Sequence, residues 1–557
     1  MNISHVVTST VAVVLMSIQW GASTAVRAGD WPTLRGDVQR SGVADEEMAT
    51  TTLGEVWAFR NVAPPQTAWA GPAKWDAYAH IRGLRAMRNY DAAYGVAVVG
   101  QSVFVASSSE DSVVCLNLAN GHVGWRFWAD GPVRITPTVV DGRVYFGSDD
   151  GNAYCVDARD GKLIWRFRPP VDEPLILHNG RMISRWPCRT GVLVQDGTAY
   201  FGFSLLPWDV SFICAVDVET GSSAGPGLFV HKLNGATIEG AMAATEQLLV
   251  APQGRVPPML FNRVDGNRSG GLGGGGGSWV MVAADQTIHH GPGNKTGWVT
   301  ASDPQTRKAV ATYKACNAVV IGDKLRYHLS DHHVTAVDRH SKAKVWQATI
   351  PNSLELVLNR GTLFVGGRDE VVALDAITGE RQWRSAVDGD AYLMAVASGS
   401  LLVSTDAGVV HCFRPGAARA TSPPTLSKPN PVAVKVTPAD LARLRAVKVP
   451  GMVGHWAFHT GMSARAKRRG LSDADRRVVD LVGRLNGTIL GEVNLRQAGG
   501  IEALTLDGKS NSVMLASDHS TANLPLQQIS AEAWVRIDKP QPWGGIVGAI
   551  QDNGSYE

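Results

Sequence analysis

Short runs of apolar and β-branched residues recur along most of this chain, broken by turns rich in Gly and Asp. Val144-Tyr145-Phe146 and Ala153-Tyr154-Cys155-Val156 are such runs, with Asp141-Gly142 before the first and Asp149-Asp150-Gly151-Asn152 between them. Runs of this composition bounded by Asp-Gly predict strands joined by hairpins. From Val139 to Trp165 the pattern reads strand, turn, strand, turn, strand, turn, strand, ending in Trp, and the stretch from Val98 to Trp125 repeats it.

The repetition continues. Counterparts of Asp157 fall at Asn117, Asp217, Asn262, Asp303, Asp338, Asp375 and, more weakly, Arg414, in steps of 40, 60, 45, 41, 35, 37 and 39 residues. Trp follows four of these anchors at one offset, at Trp125, Trp165, Trp346 and Trp383. Four short strands every ~40–45 residues make a propeller blade. The expected class is all-β, with eight blades; seven is the alternative count, because the Asn262 repeat runs into the Gly-rich tract Gly270–Gly277, read as a flexible loop. The Arg414 repeat lacks a fourth strand, whereas Gly54-Glu55-Val56-Trp57-Ala58-Phe59 resembles Lys162–Phe167 without its preceding strands. Pairing the two would cap an open sheet edge.

The pattern Ala/Cys-x-Asp-x-x-x-Gly-Lys-x-x-Trp resembles the Trp-docking repeat of PQQ-like propellers (PQQ is pyrroloquinoline quinone). That superfamily includes quinoprotein alcohol dehydrogenases and the outer-membrane assembly propeller lipoprotein. Trp31-Pro32-Thr33-Leu34-Arg35-Gly36-Asp37, with Arg40-Ser41-Gly42, resembles the opening segment of many secreted members. The likeness covers residues 30–415. It implies that Trp57, Trp125, Trp165, Trp346 and Trp383 pack across peptide planes of neighbouring blades, and a large aromatic can bury ~150–250 Å² there. For a dehydrogenase it also implies PQQ, Ca²⁺ and a carboxylate base, often beside two adjacent cysteines. This sequence has no Cys-Cys pair and no convincing counterpart of those ligands, so no cofactor is expected, with PQQ and Ca²⁺ as the alternative.

Composition narrows the classes. The 557 residues carry 53 Lys and Arg against 50 Asp and Glu, net +3, without a long basic run, which argues against a nucleic-acid binder. An apolar content of 44% excludes general disorder. Val6 to Ile18 is too short to span a bilayer and is followed by small residues up to Ala28, which reads as a signal peptide over residues 1–28 and a periplasmic or secreted protein. Cys115, Cys155 and Cys412 share one repeat position and read as small buried hydrophobes. Cys188, Cys214 and Cys316 are off-register and leave one disulfide open.

Candidate chemistry is sparse. Arg134 and Arg189 each stand seven residues before a turn Asp, at Asp141 and Asp196, where first strands begin. First strands line the channel, so the pair, with Arg185 and Trp186, could hold an anionic or sugar-like ligand at its mouth. The competing expectation is that each Arg pairs with an Asp of a neighbouring blade. Trp69, Trp75 and Arg255, in long insertions, are weaker candidates. Asp149-Asp150-Gly151-Asn152 reads as a hairpin turn, and His328, His332 and His333 as another blade's turn, leaving any metal site unknown. Gly291–Thr296 imitates a phosphate loop without its required glycines or helix.

A Pro-rich linker spans 416–450. Beyond it, Ala503–Leu515 reads as a hairpin and Ile529–Ile537 as an alternating strand. With Trp543–Gly548 they resemble the N-terminal part of a laminin-G or concanavalin-A-like jelly roll over 451–557, a partial β-sandwich implying carbohydrate or protein binding. The leading expectation is an exported, non-catalytic binding protein that presents loops and channel to an envelope or extracellular protein or polysaccharide. A PQQ-dependent oxidoreductase and an envelope assembly scaffold are the alternatives.

Overall fold

The computed structural model describes residues 29–69, 90–171, 175–254, 256–293, 297–417 and parts of 454–515. The chain divides between Pro429 and Asn430 into two compact units. Among the described residues of the first, besides a two-stranded hairpin, seven four-stranded sheets and one five-stranded sheet follow one another, each built on an antiparallel meander of at least three consecutive strands. They occupy residues 96–128, 138–167, 193–233, 243–271, 279–313, 318–349, 355–386 and 391–415. The fifth strand, Val43–Ala44, runs parallel to Glu355–Asn359. The last sheet takes its outer strand from the other end of the chain, where Leu53–Arg60 pairs antiparallel with Val409–Pro415. This is a β-propeller. No helix among the described residues is long and apolar enough to cross a membrane.

Burial follows position in each sheet. Inner strands such as Ser112–Asn117 and Ala153–Asp157 are buried along most of their length. Outer strands such as Val123–Trp128 and Lys344–Thr349 carry exposed residues and send one indole inward. That indole reaches the next sheet in five places. Trp57 Nε1 donates to Leu118 O at 2.8 Å, Trp125 to Ala158 O at 3.0 Å and Trp165 to Val218 O at 3.0 Å. Trp346 donates to Ala376 O at 3.1 Å, and Trp383 to Leu53 O at 2.9 Å.

The Gly-rich tract is not a free loop. Arg268–Gly271 is the outer strand of its sheet, and Leu272 is buried behind it. A Cβ on Gly277 would lie 2.0 Å from Gly291 O, so the glycines there permit backbone to approach backbone. All six cysteines are free and buried.

The N-terminal segment runs through the middle of the ring. Trp31 exchanges two backbone hydrogen bonds with Val98, while Pro32, Val38, Gln39 and Gly42 carbonyls accept from Val139, Ala244, Val282 and Leu358 at 2.8–3.0 Å. These partners belong to the first strands of five different sheets, and Arg35 reaches Val319 O on a sixth. A single short stretch can touch all of them only from the axis. Most of its bonds fall near the last residues of those strands, so it fills the end of the channel where the first strands finish.

The second unit is described separately. Arg477–Val478, Gly487–Leu490 and Ser512–Met514 form a three-stranded antiparallel sheet, and Asn494–Ala498 pairs with Ile501–Thr505. The expected Ala503–Leu515 hairpin is therefore replaced by two separate pairings, because Ser512–Met514 joins Gly487–Leu490. Asp480, buried, ties the turn by accepting from the His455, Val482 and Leu485 amides at 2.9–3.1 Å. Ile529–Ile537, Trp543–Gly548 and nearly all of the 416–450 linker lie outside the described residues.

Candidate functional site

At the opposite end of the channel, the connections that precede the first strands converge on the turn after Arg143–Gly147. Asp149 N donates to Pro132 O at 2.9 Å, Ser184 N to Asp149 O at 2.8 Å and Cys188 N to Ser148 O at 3.0 Å. A Cβ on Gly131 would sit 2.7 Å from Asp150 N, so only glycine lets that connection approach. The stitching brings Arg134 and Arg189 onto one carboxylate. Arg134 Nε donates to Asp149 Oδ2 at 2.7 Å; Arg189 holds both Asp149 oxygens, from Nε and Nη2, at 2.9 Å each.

Further carboxylates complete the set. Arg134 Nη1 donates to Asp91 Oδ2 at 2.7 Å and to Gln66 O at 2.6 Å. Arg189 Nη1 donates to Glu239 Oε1 at 3.2 Å, the oxygen that also accepts from Trp69 Nε1 at 2.7 Å and Tyr90 OH at 2.8 Å. The Arg189 guanidinium lies 5.9 Å from the Trp69 ring, whose other neighbour is the edge-on His178 ring at 4.7 Å. The five charged side chains are no more than 3% exposed. Among the described residues, three carboxyl groups and two guanidiniums meet in this buried cluster.

Electrostatics keep Asp149 ionised between its two arginines. Burial alone would raise the Asp149 pKa, but Arg134 and Arg189 outweigh it and hold the carboxyl well below the usual range. Burial acts to lower both arginines, but their anionic partners together more than reverse it: Asp149 and Asp91 at Arg134, and Asp149, Tyr90 and Glu239 at Arg189. Burial raises Asp91 in spite of Arg134, and it lowers His178, helped by Arg189, to about 4. His178 is therefore a neutral imidazole at neutral pH, and its Nδ1 has no hydrogen-bond partner.

Arg134 and Arg189 are brought together, but buried and held by carboxylates. Arg185 pairs with Asp209 some way out, half exposed, above the Trp186 ring, whose Nε1 donates to Val210 O at 2.7 Å. Arg255 and Trp75 lie outside the described residues. Asp149 sits in the expected turn, yet that turn is buried and its carboxylate is the hub. His328 Nε2 accepts from Arg326 Nε at 2.7 Å, so that lone pair is not directed at a metal. Asp91, Glu239, Tyr90 and His178 carried no sequence signal except their place just before, or inserted between, predicted blades.

Over the same face lies the hairpin Leu175–His178/Arg181–Ser184. Its inner side packs Ile183 and His178 inward, and Asn179 Nδ2 donates to Thr67 O at 2.8 Å. Its outer side exposes Leu175, Leu177 and Met182, and Trp208, in a loop on the same face, is 79% exposed.

Residues 50–225 and 330–416 match the family profile described as outer membrane protein assembly factor BamB. A quinohemoprotein alcohol dehydrogenase of Pseudomonas putida is 35% identical over 95 residues, 17% of this chain and 12% of that protein. The dehydrogenase subunit of a quinone-type alcohol dehydrogenase from Gluconobacter oxydans (strain 621H) is 28% identical over 141 residues, 23% of this chain and 18% of that one. The chain thus spans less than a fifth of the length of these two curated relatives. Among solved structures, the quinohemoprotein alcohol dehydrogenase from Comamonas testosteroni superposes with a TM-score of 0.54 at 13% identity, covering 72% of this chain and 83% of that one.

The side chains at Asp149 do not fit a carboxylate-bearing quinone with its cation. Both guanidiniums already hold carboxylates, and among the described residues no three His, Cys, Asp or Glu side chains gather to hold a metal ion.

Proposed function

We propose that this PQQ-like β-propeller is an exported, eight-bladed assembly scaffold of a cell envelope, which docks a protein partner on the face bearing the hairpin Leu175–Ser184. The observation that carries this reading is that the ring's interior is taken up by its own residues. The N-terminal segment fills one end of the channel, and the Asp149 cluster fills the other. What remains for recognition is the outer surface, and there a firmly anchored hairpin exposes three large apolar side chains. Exposed apolar groups of this kind mark interaction sites when they cluster. The match to an outer-membrane assembly family supports the same reading. The second unit would add a concanavalin-A-like module for glycan or protein.

A photo-crosslinking residue placed at Leu177 or Trp208 tests the reading in intact cells, with Val345 as an exposed control on another sheet. A single discrete adduct with an envelope protein from the first two sites, lost in Leu177→Lys/Met182→Lys, is the expected outcome. Absence of any adduct sinks the scaffold reading.

The sequence identity to quinohemoprotein alcohol dehydrogenase favours a second reading, a quinone-dependent oxidoreductase. Incubation with PQQ and Ca²⁺ followed by dye-linked alcohol oxidation separates the two, since the scaffold shows no turnover.

A further inference from the structure

We infer that the end of the channel where the first strands begin is a self-occupied anion site, in which Asp91 and Glu239 take the guanidinium positions that a carboxylate-bearing ligand would need. Donor counting is the first support. Arg134 places Nε on Asp149 and Nη1 on both Asp91 and Gln66 O, while Arg189 places Nε and Nη2 on Asp149 and Nη1 on Glu239. Arg189 also has one face near Trp69. A forked guanidinium binds a carboxylate well only through parallel N–H donors, and the pair with Asp149 already uses that geometry on Arg189.

The groups that occupy the site come largely from the stretch between Leu53–Arg60 and Val96–Val99, on both of its described sides. Gln66, Ala68 and Trp69 approach from one side; Tyr90 and Asp91 approach from the other. Asp91 Oδ2 accepts from Arg134 and from Ala68 N at 2.7 Å, but Asp91 Oδ1 and His178 Nδ1 are buried with no partner. Buried polar atoms without partners are costly, and burial outweighs Arg134 at Asp91. The same fold thus carries two cations suited to a planar polycarboxylate and closes them with its own acids.

Two probes test this on the full-length chain: PQQ with Ca²⁺, and trimellitate, a planar aromatic tricarboxylate. By titration calorimetry the wild-type protein is expected to show no saturable binding of either. Asp91→Asn with Glu239→Gln removes two carboxyl groups and is expected to bind trimellitate saturably, at least 10-fold more tightly than the detection limit at which wild type shows none. If that double variant loses its cooperative melt, Asp91→Asn alone is read with the same probe. Saturable PQQ binding by the wild type overturns the inference, as does a folded variant that gains no affinity. The inference shares the filled channel with the proposed scaffold, so saturable PQQ binding by the wild type counts against both, whereas the trimellitate result bears on the inference alone and the crosslinking result on the scaffold alone.

Discussion

Trp165 is 7% exposed and lies against Gly221 of the next sheet, where a Cβ would come within 2.8 Å of the indole. Gly221 also has φ +70°, which L side chains rarely adopt. Two substitutions therefore probe one contact from opposite sides. Trp165→Ala is expected to lose about 3–5 kcal/mol, the usual cost of emptying a buried aromatic site. Gly221→Ala is expected to lose about 1–3 kcal/mol through crowding and the positive φ. Urea midpoints of the two single variants and the double variant check this: losses less than additive mark one shared contact. The recurrence of the indoles is legible in the sequence because spacing alone reveals it, although the carbonyl each one reaches is not. The candidate site was less legible for a similar reason. Arg134 and Arg189 stand at a repeat position, whereas Asp91 and Glu239 come from irregular connections that no period marks.

The seam between sheets 279–313 and 318–349 lacks a docking Trp and is built from rings that titrate. His289 stacks on Tyr313 at 5.8 Å between centroids, Tyr313 meets His328 at 4.6 Å, and the Arg326 guanidinium lies 4.4 Å from the Tyr313 ring. Burial lowers His289 and His328 to about 3, with Arg326 adding to the effect at His328, and burial lowers His290 to about 4. Asp285 opposes the shift at His289. These imidazoles are neutral when folded but have an ordinary pKa of about 6.5 when unfolded, so the unfolded chain binds protons first. Stability is then full above about pH 6.5 and falls as pH drops toward 4. His328→Gln keeps an acceptor for Arg326 without a titrating group, and it is expected to flatten the fall of the urea midpoint between pH 7.5 and 5. An unchanged slope would remove His328 from the cause. Strand order and ring closure are readable from the repeat, since each blade is local in sequence. The Gly270–Gly277 tract was misread because composition shows that glycines permit freedom, not that close backbone packing requires them.

The N-terminal segment makes the ring one unit, and its two arginines are the means. Arg40 meets the Met242, Leu34 and Asp37 carbonyls and the Thr33 hydroxyl, and burial lowers its pKa to about 10, partly offset by Asp37. Arg35 pairs with Glu355 and also donates to Arg40 O at 3.0 Å and Val319 O at 3.3 Å, so one side chain links three parts of the chain. The side chains of Arg35 and Glu355 are only 5% and 10% exposed. Removing one charge from such a pair strands the other, so Arg35→Met is expected to lose about 3–5 kcal/mol. Arg35→Met with Glu355→Gln leaves no stranded charge and keeps an acceptor for the Leu356 amide, which now bonds Glu355 Oε1 at 2.9 Å. The double variant is expected to regain at least ~1 kcal/mol of that loss. Because the segment touches the first strands of six sheets, the effect should spread well beyond the blade of Glu355. Trp fluorescence and far-UV circular dichroism should shift together in urea, as one transition. Separate transitions by the two probes would mean that the axial segment fastens only its nearest sheets, and that the ring is held by its indole contacts and the Leu53–Arg60 seal alone.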